Sequence, residues 1–261
     1  LSRRSVGGDK KGTRMIPIRN AAEIQKMREA GAALKEVFGV VAPLVAPGIT
    51  TLELNAEIEK KIFSLGATAP CKGFEGYPAA ACISVDDVVV HGIPSFRRLA
   101  EGEIVSVDIV LKLNGYCADA TRTYAVGKVS DEKLRLIEVT RRCFFNGVSR
   151  IRAGARLGDA QSAIQLTAEL AGYGVVRAME GHGIGKNMHE EPSVPNHGHA
   201  GTGVLLKAGM CLAVEPMITM GDWRVKIDGD GWTCRTVDGS PAAHYENTVL
   251  VTADGCEILT E

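Results

Sequence analysis

The chain has 261 residues, 45% of them apolar and 23% charged, with a formal net charge of -1. That length buries a sizeable core in one large domain or two small ones, and the composition is ordinary for a globular protein. So small a net charge offers no electrostatic footing for nucleic acid or a membrane surface, and no apolar run approaches the roughly 20 residues of a membrane span. The seven cysteines are scattered, with no C-x-x-C pair, which argues against a zinc finger and for free thiols in a reducing compartment. Residues 1–14, LSRRSVGGDKKGTR, are basic and lack an apolar stretch. They read as a flexible tail and not a signal peptide, with Met15 as a natural start and one domain over 15–261.

In chain order, Asn20 with Glu23 three residues on forms a capping box for a first helix. Ile24, Met27, Leu34, Val37, Phe38 and Val41 follow at helical spacing, and Pro47-Gly48 closes the segment. Thr51 is placed to cap a second helix with Leu54, Ile58, Ile62 and Leu65 inward. A loop rich in Gly and aromatics spans 72–78, then short apolar strands are expected at 81–85 and 88–91. After a hairpin at 104–126 the pattern restarts. Ser130 precedes a helix with Leu134, Ile137, Cys143, Phe144, Val148 and Ile151 on its apolar side, and Asp159 starts another that ends near Gly172. Strands are expected at 174–179, 210–214, 217–220, 224–227 and 243–252. Two rounds of helix, helix, strands suggest two αβ halves offset by about 110 residues. Hairpins in place of crossovers favour an α+β class over a doubly wound sheet.

The hairpin at 104–126 carries Asp108 and Asp119 around Asn114-Gly115, a strong signal for a two-residue type I′ turn. In that register Val110 opposes Asp119 and Asp108 opposes Thr121, so the two acids lie diagonally on one face, about 7–8 Å apart at the backbone. Carboxylates converging from there can share metal ions about 3.5–4 Å apart, or they are two solvated acids on an ordinary hairpin. Three more polar residues stand in or beside apolar segments: His182 in EGHGIGKNMHEEP, Glu215 in CLAVEPM and Glu246 in AHYENTVLV. A charge inside an apolar run is rarely buried unless it is paired or metal-bound. Four acids and one His suit divalent first-row metals better than a structural zinc. Pairing of Glu246 with Arg224 or Arg235 is the plainer alternative. There is no phosphate loop, no G-x-G-x-x-G and no H-E-x-x-H, and His197 and His199 sit in what reads as a mobile surface loop at 195–203.

Five motifs in order, VVVHGIP, VDIVLKLNGYCADATRT, GHGIGKNMHEEP, AVEPM and HYENTVLVT, resemble those of type I methionine aminopeptidases, from about Met15 to the C-terminus. The resemblance implies the pita-bread fold: two pseudo-symmetric αβ halves, an antiparallel sheet core and helices on the outer face. It implies a metal-dependent hydrolase that removes N-terminal methionine from peptides and nascent proteins, preferring a small second residue. Asp108, Asp119, His182, Glu215 and Glu246 would hold two divalent ions (Mn, Fe, Co, Zn or Ni), with Asp119 and Glu246 bridging. Glu215 would also be the general base, His189 would contact the scissile carbonyl, and His91 would hydrogen-bond near the scissile nitrogen. Cys71, Phe74, Tyr77, Cys82, Met188 and Trp232 match the methionine pocket. Relatives often carry Tyr and Phe at the positions of Phe74 and Met188, which alters pocket shape and not reaction class.

A cytoplasmic monomer acting on peptide and nascent-protein N-termini is expected, with the ribosome as a candidate contact. Proline-directed peptidases of the same fold carry a large N-terminal domain, for which the 76 residues from Met15 to His91 leave no room. A type II enzyme would carry a helical insertion within the 26-residue step from His189 to Glu215. A non-catalytic relative would be expected to have lost ligands.

Overall fold

A computed structural model describes residues 15–261, and the expected tail at 1–14 lies outside the described residues. Helix α1 (Ala21–Leu44) starts at Asn20, whose side chain accepts the Glu23 N–H while Glu23 accepts the Asn20 N–H, the reciprocal cap expected from the sequence. Helix α2 (Thr51–Ser64) is capped by Thr50 and not Thr51. Thr51 is the first helical residue, and its hydroxyl instead bonds both the carbonyl and the N–H of Ser95. Thr50→Ala is expected to cost about 1 kcal/mol, measured as a lower urea midpoint at unchanged slope.

In the second half, α3 (Asp131–Val148) begins after Ser130 as expected, but its buried stripe runs through Leu136, Val139, Cys143 and Phe144. Leu134 is 47% exposed, because the buried stripe begins two residues beyond it. Helix α4 (Leu157–Leu170) starts two residues before Asp159. Asp159 sits in the first turn, where its carboxylate accepts the Arg156 N–H and, from the 195–203 loop, the Gly201 N–H.

The strands are β1 (Ala81–Val85), β2 (Val88–Val90), β3 (Ile104–Leu113), β4 (Tyr116–Ala125), β5 (Gly174–Val175), β6 (Gly181–Gly183), β7 (Glu190–Val194), β8 (Cys211–Val214), β9 (Met217–Thr219), β10 (Val225–Ile227), β11 (Cys234–Thr236), β12 (Ala242–His244), β13 (Glu246–Val251) and β14 (Cys256–Ile258). The main sheet runs β1-β3-β4-β13-β8-β6-β7, with β14 added on β13. Its first three strands come from the first half and the rest from the second. Small sheets β10-β11-β2 and β12-β9-β5 flank it.

Strand alternation separates a core face from a site face. Val105, Val107, Ile109 and Leu111 of β3, with Ala118 and Ala120 of β4, pack with the buried stripes of α1 and α2. Leu212 and Val214 of β8, with Val249 and Val251 of β13, pack with those of α3 and α4. The residues between them point to the other face, and that is where the acids lie.

Three expected strands need correction. The segment 174–179 is a strand only over Gly174–Val175, after which the chain turns so that Ala178 and Met179 line a cavity. The strand at 88–91 stops at Val90, because His91 takes φ +58°, a left-handed conformation that ends pairing. The segment 243–252 is two strands in two sheets, β12 on β9 and β13 on β4 and β8, with Tyr245 at the crossing. No helix among the described residues is long and apolar enough to cross a membrane.

Candidate metal centre and its pocket

The β3–β4 hairpin has the expected register, Val110 opposite Asp119 and Asp108 opposite Thr121. Asn114 (φ +51°) and Gly115 (φ +84°) supply the two left-handed residues of the turn. On the next strand Glu246 pairs with Thr121, so Asp108, Thr121 and Glu246 form a row across three strands, with Asp119 one pleat along. From the other side His182 pairs with Ala213, two residues before Glu215. All five expected ligands therefore converge on one face. His182 Nε2 lies 3.7 Å from Asp119 Oδ2 and 3.6 Å from Glu215 Oε1. One donor atom each from Asp119, His182 and Glu246 fits within 4.8 Å. The alternative pairing of Glu246 fails, since Arg224 bonds Asp222 while Arg235 bonds Asp87 and Asp228. A Cβ at Gly181 would collide with the Ala213 carbonyl and crowd Glu215 Cγ, so only glycine lets β6 lie this close.

The donor chemistry fits cations. Asp119 and Glu246 are 4% and 2% exposed, and each has one oxygen, Oδ1 and Oε1, buried without a hydrogen-bond partner. Burial, and then the neighbouring carboxylates, push Asp119, Glu215 and Glu246 well above the usual carboxylate range, and burial pushes Asp108 up to about 7. Four acids this close cannot all ionise without positive charge between them. His182 Nδ1 lies 3.0 Å from the Gly183 carbonyl, a contact that places the ring proton on Nδ1 and leaves the Nε2 lone pair facing the acids. Burial holds that imidazole neutral, its pKa down to about 3.

The site opens into a cavity of about 1050 Å³ that includes all six expected pocket residues. Cys71 Sγ is 3.7 Å from Met188 Sδ, and Cys82 is the cross-strand partner of Asp108, so sulfur lines the wall next to the acids. Burial raises both thiols well above their usual range, so they are neutral apolar groups here. Tyr77 donates its hydroxyl to the Gly92 carbonyl at 3.0 Å and meets the Trp232 ring edge-on at 5.1 Å. His189 stands edge-on to both His182 (4.4 Å) and Phe74 (5.4 Å), and His91 faces Trp232 at 6.3 Å. Burial lowers the His91 pKa to about 4 and also lowers that of His189, so both imidazoles are neutral near pH 7. His197 and His199 lie apart from this cluster, in a loop tied to α4 through Gly198 and Gly201.

Several residues at the centre carry no signal of their own in the motifs. Thr121 Oγ1 donates to Glu246 Oε2 at 2.8 Å, and Thr248 Oγ1 both accepts the Asp119 N–H and donates to its carbonyl. Arg122 braces the Glu246 carbonyl and the Asn247 side chain from the core face. His244, 2% exposed, points at Glu215 and Glu246. Alternation along HYEN is the one available clue to it, since residues two before a ligand share its face.

A curled antiparallel sheet with acids and imidazole converging inside it defines a metallohydrolase centre, and the chain belongs to metallopeptidase family M24, whose model matches residues 25–253. The fold is the pita-bread fold. Within that family the chain is similar to methionine aminopeptidases. It is 48% identical to the one from Clostridium perfringens over 94% of this chain and 99% of that protein, and 41% identical to methionine aminopeptidase 1 of Bacillus subtilis over the same shares. The crystal structure of methionine aminopeptidase from Rickettsia prowazekii superposes with TM-score 0.94 at 41% identity, covering 95% of this chain and all of that one. A prolidase from Pyrococcus furiosus matches in fold alone, with TM-score 0.77 at 23% identity, and extends well beyond the match, which covers 65% of it.

Proposed function

We propose that this enzyme hydrolyses the first peptide bond of chains that begin with methionine, with two divalent ions held by Asp108, Asp119, His182, Glu215 and Glu246. The observation that carries the reading is the convergence of five donors on one sheet face that opens on a sulfur-lined apolar pocket. Similarity to methionine aminopeptidases over nearly the whole chain supports the substrate.

Ions bound there supply Lewis-acid chemistry, polarising a carbonyl and making water acidic near neutral pH. The residues do the rest. Cys71, Tyr77, Cys82, Met188 and Trp232 enclose the methionine side chain with polarisable and aromatic surface, and Phe74, 41% exposed, closes one side. The Glu215 carboxylate takes the proton of the attacking water. His189, neutral at working pH, donates an N–H to the carbonyl oxygen as negative charge grows on it. His91, held in its left-handed turn, hydrogen-bonds near the scissile nitrogen. The free α-amine would lie at the end of the site held by Asp108, which would confine cleavage to chain ends. The seven unpaired thiols support a reducing cytoplasmic setting.

The test is release of methionine from a Met-Ala-Ser peptide. Release is expected only with divalent metal, and more slowly from a Met-Leu peptide. Activity unchanged after exhaustive chelation would overturn the reading. In the same assay His91→Ala is expected to lower kcat about a hundredfold with bound metal unchanged, since the residue touches substrate and not the ions. Loss of metal in that variant would make His91 a ligand instead.

A further inference from the structure

Each oxygen of the Glu215 carboxylate faces an imidazole. Oε1 is 3.6 Å from His182 Nε2, and Oε2 is 3.6 Å from His244 Nε2. Among the described residues no hydrogen bond reaches this carboxylate, and His244 Nε2 is itself buried without a partner. Both distances exceed a hydrogen bond, and a movement of about 0.6 Å brings His244 Nε2 within ordinary N–H···O range. A buried ring nitrogen left unpaired is costly, so that movement is downhill.

The other acid nearby is a poorer partner. Glu246 Oε2 is 3.9 Å from His244 Nε2 and already accepts from Thr121 Oγ1 at 2.8 Å. The His244 main chain is held firmly. Its N–H donates to Thr123 Oγ1, the same hydroxyl donates to the His244 carbonyl, and Ser106 Oγ meets that hydroxyl at 2.8 Å. Strand β12 pairs His244 with Met217, two residues past Glu215, and thereby fixes the ring against the carboxylate.

We propose that His244 is a positioning residue that donates its Nε2–H to Glu215 Oε2 and so keeps Oε1 turned toward His182 and Asp119. The contact restrains rotation of the carboxylate, limits it to one oxygen on the ion side, and orients the group that takes the water proton. Both carboxylates it faces offer acceptor oxygens once they hold ions, which places the ring proton on Nε2. The proposal rests on the reading of Glu215 as ligand and base. Partners of this kind, one step outside a metal's own ligands, change affinity or rate about 10- to 100-fold when removed.

The experiment compares His244→Phe, which keeps a planar ring without the donor, His244→Leu, and His244→Gln, which returns an N–H donor. Metal-free protein is titrated with Co²⁺ by calorimetry and by its visible absorption, and each loaded variant is assayed on Met-Ala-Ser. His244→Phe and His244→Leu are expected to weaken the tighter Co²⁺ site and lower kcat at least about tenfold each, with KM little changed and a changed Co²⁺ spectrum. His244→Gln is expected to recover most of both. If His244→Phe does not fold, the comparison of His244→Leu with His244→Gln decides. Wild-type affinity, spectrum and kcat in His244→Phe or His244→Leu would overturn the proposal, as would His244→Gln performing no better than His244→Leu. Loss of a whole equivalent of Co²⁺ in all three would make His244 a ligand and also overturn it. Wild-type protein that binds Co²⁺ yet releases no methionine would instead refute the proposed function, and the titrations alone would then decide the role of His244.

Discussion

Asp119→Asn is expected to lower kcat/KM on Met-Ala-Ser at least about a thousandfold, and by more than Asp108→Asn does. A thousandfold is about 4 kcal/mol of lost transition-state stabilisation, within what a misheld ion pair forfeits. Asp119 is the central acid of the cluster: Oδ2 faces His182 Nε2, and Oδ1 is buried without a partner. Its backbone is clamped by Thr248 in both directions, which fixes where the side chain leaves the strand. Asn keeps the shape, so the fold survives, but it removes one charge and turns a donor group toward a cation. Asp108 is less deeply buried, opposite Cys82 on β1, and its replacement leaves the other four donors in register. Asp119→Asn is also expected to raise the melting temperature of the metal-free protein at pH 8, because it removes one of four mutually repelling acids. Metal content and thermal melts of the two variants check both halves. An Asp119→Asn variant that retains two ions and activity within tenfold would show that Asp119 bridges nothing.

The hairpin and the five donors are legible in the sequence because each rests on a short-range rule. Asn-Gly sets a turn, the turn sets the register, and alternation places both acids on one face. The convergence of the other strands on that face is not legible from spacing. It depends on β13 sitting between β4 and β8, a pairing across 125 residues for Glu246 and Thr121. Only the family resemblance supplies that link from sequence. Helix starts shift by one or two residues where adjacent candidates compete: Thr50 against Thr51, and Asp159 as a first-turn acceptor in place of a cap. Strands β6, β7, β11 and β14 give no clear sequence signal because Gly, Pro and charged residues depress it, and pairing partners alone make them strands. The continuous run at 243–252 hides a change of sheet at Tyr245, whose ring turns into the core beside Phe144 while His244 and Glu246 point to the site. Periodicity reports which face a residue takes, not which sheet it joins.

Chelated protein is expected to lose stability above neutral pH, and metal-loaded protein is not. Asp108 is pushed up to about 7, and Asp119, Glu215 and Glu246 are well above their ordinary values, all chiefly by burial. Acids with raised folded values bind protons that the unfolded chain has already released. Their contribution is full below the unfolded value near 4 and is lost as pH rises through the folded one. The neutral imidazoles act oppositely. His91 at about 4, and His182 and His244 at about 3, favour folding as the unfolded chain loses its imidazole protons toward pH 6.5. From pH 4.5 to 6.5 the two sets therefore oppose each other. Beyond that the imidazole effect is complete and only the acids remain, so the net slope turns negative through pH 7 and above. Each proton still held there lowers stability by about 1.4 kcal/mol per pH unit, a fall of roughly a few degrees in melting temperature between pH 7 and pH 8 for a chain of this size. Bound cations keep the four acids ionised and remove that proton uptake, so the loaded protein melts at nearly constant temperature over the same interval. Thermal melts with and without chelator across pH 5 to 9 measure both curves. A chelated protein as flat as the loaded one would mean that the four carboxylates ionise freely without a cation, and that the cluster is not built for one.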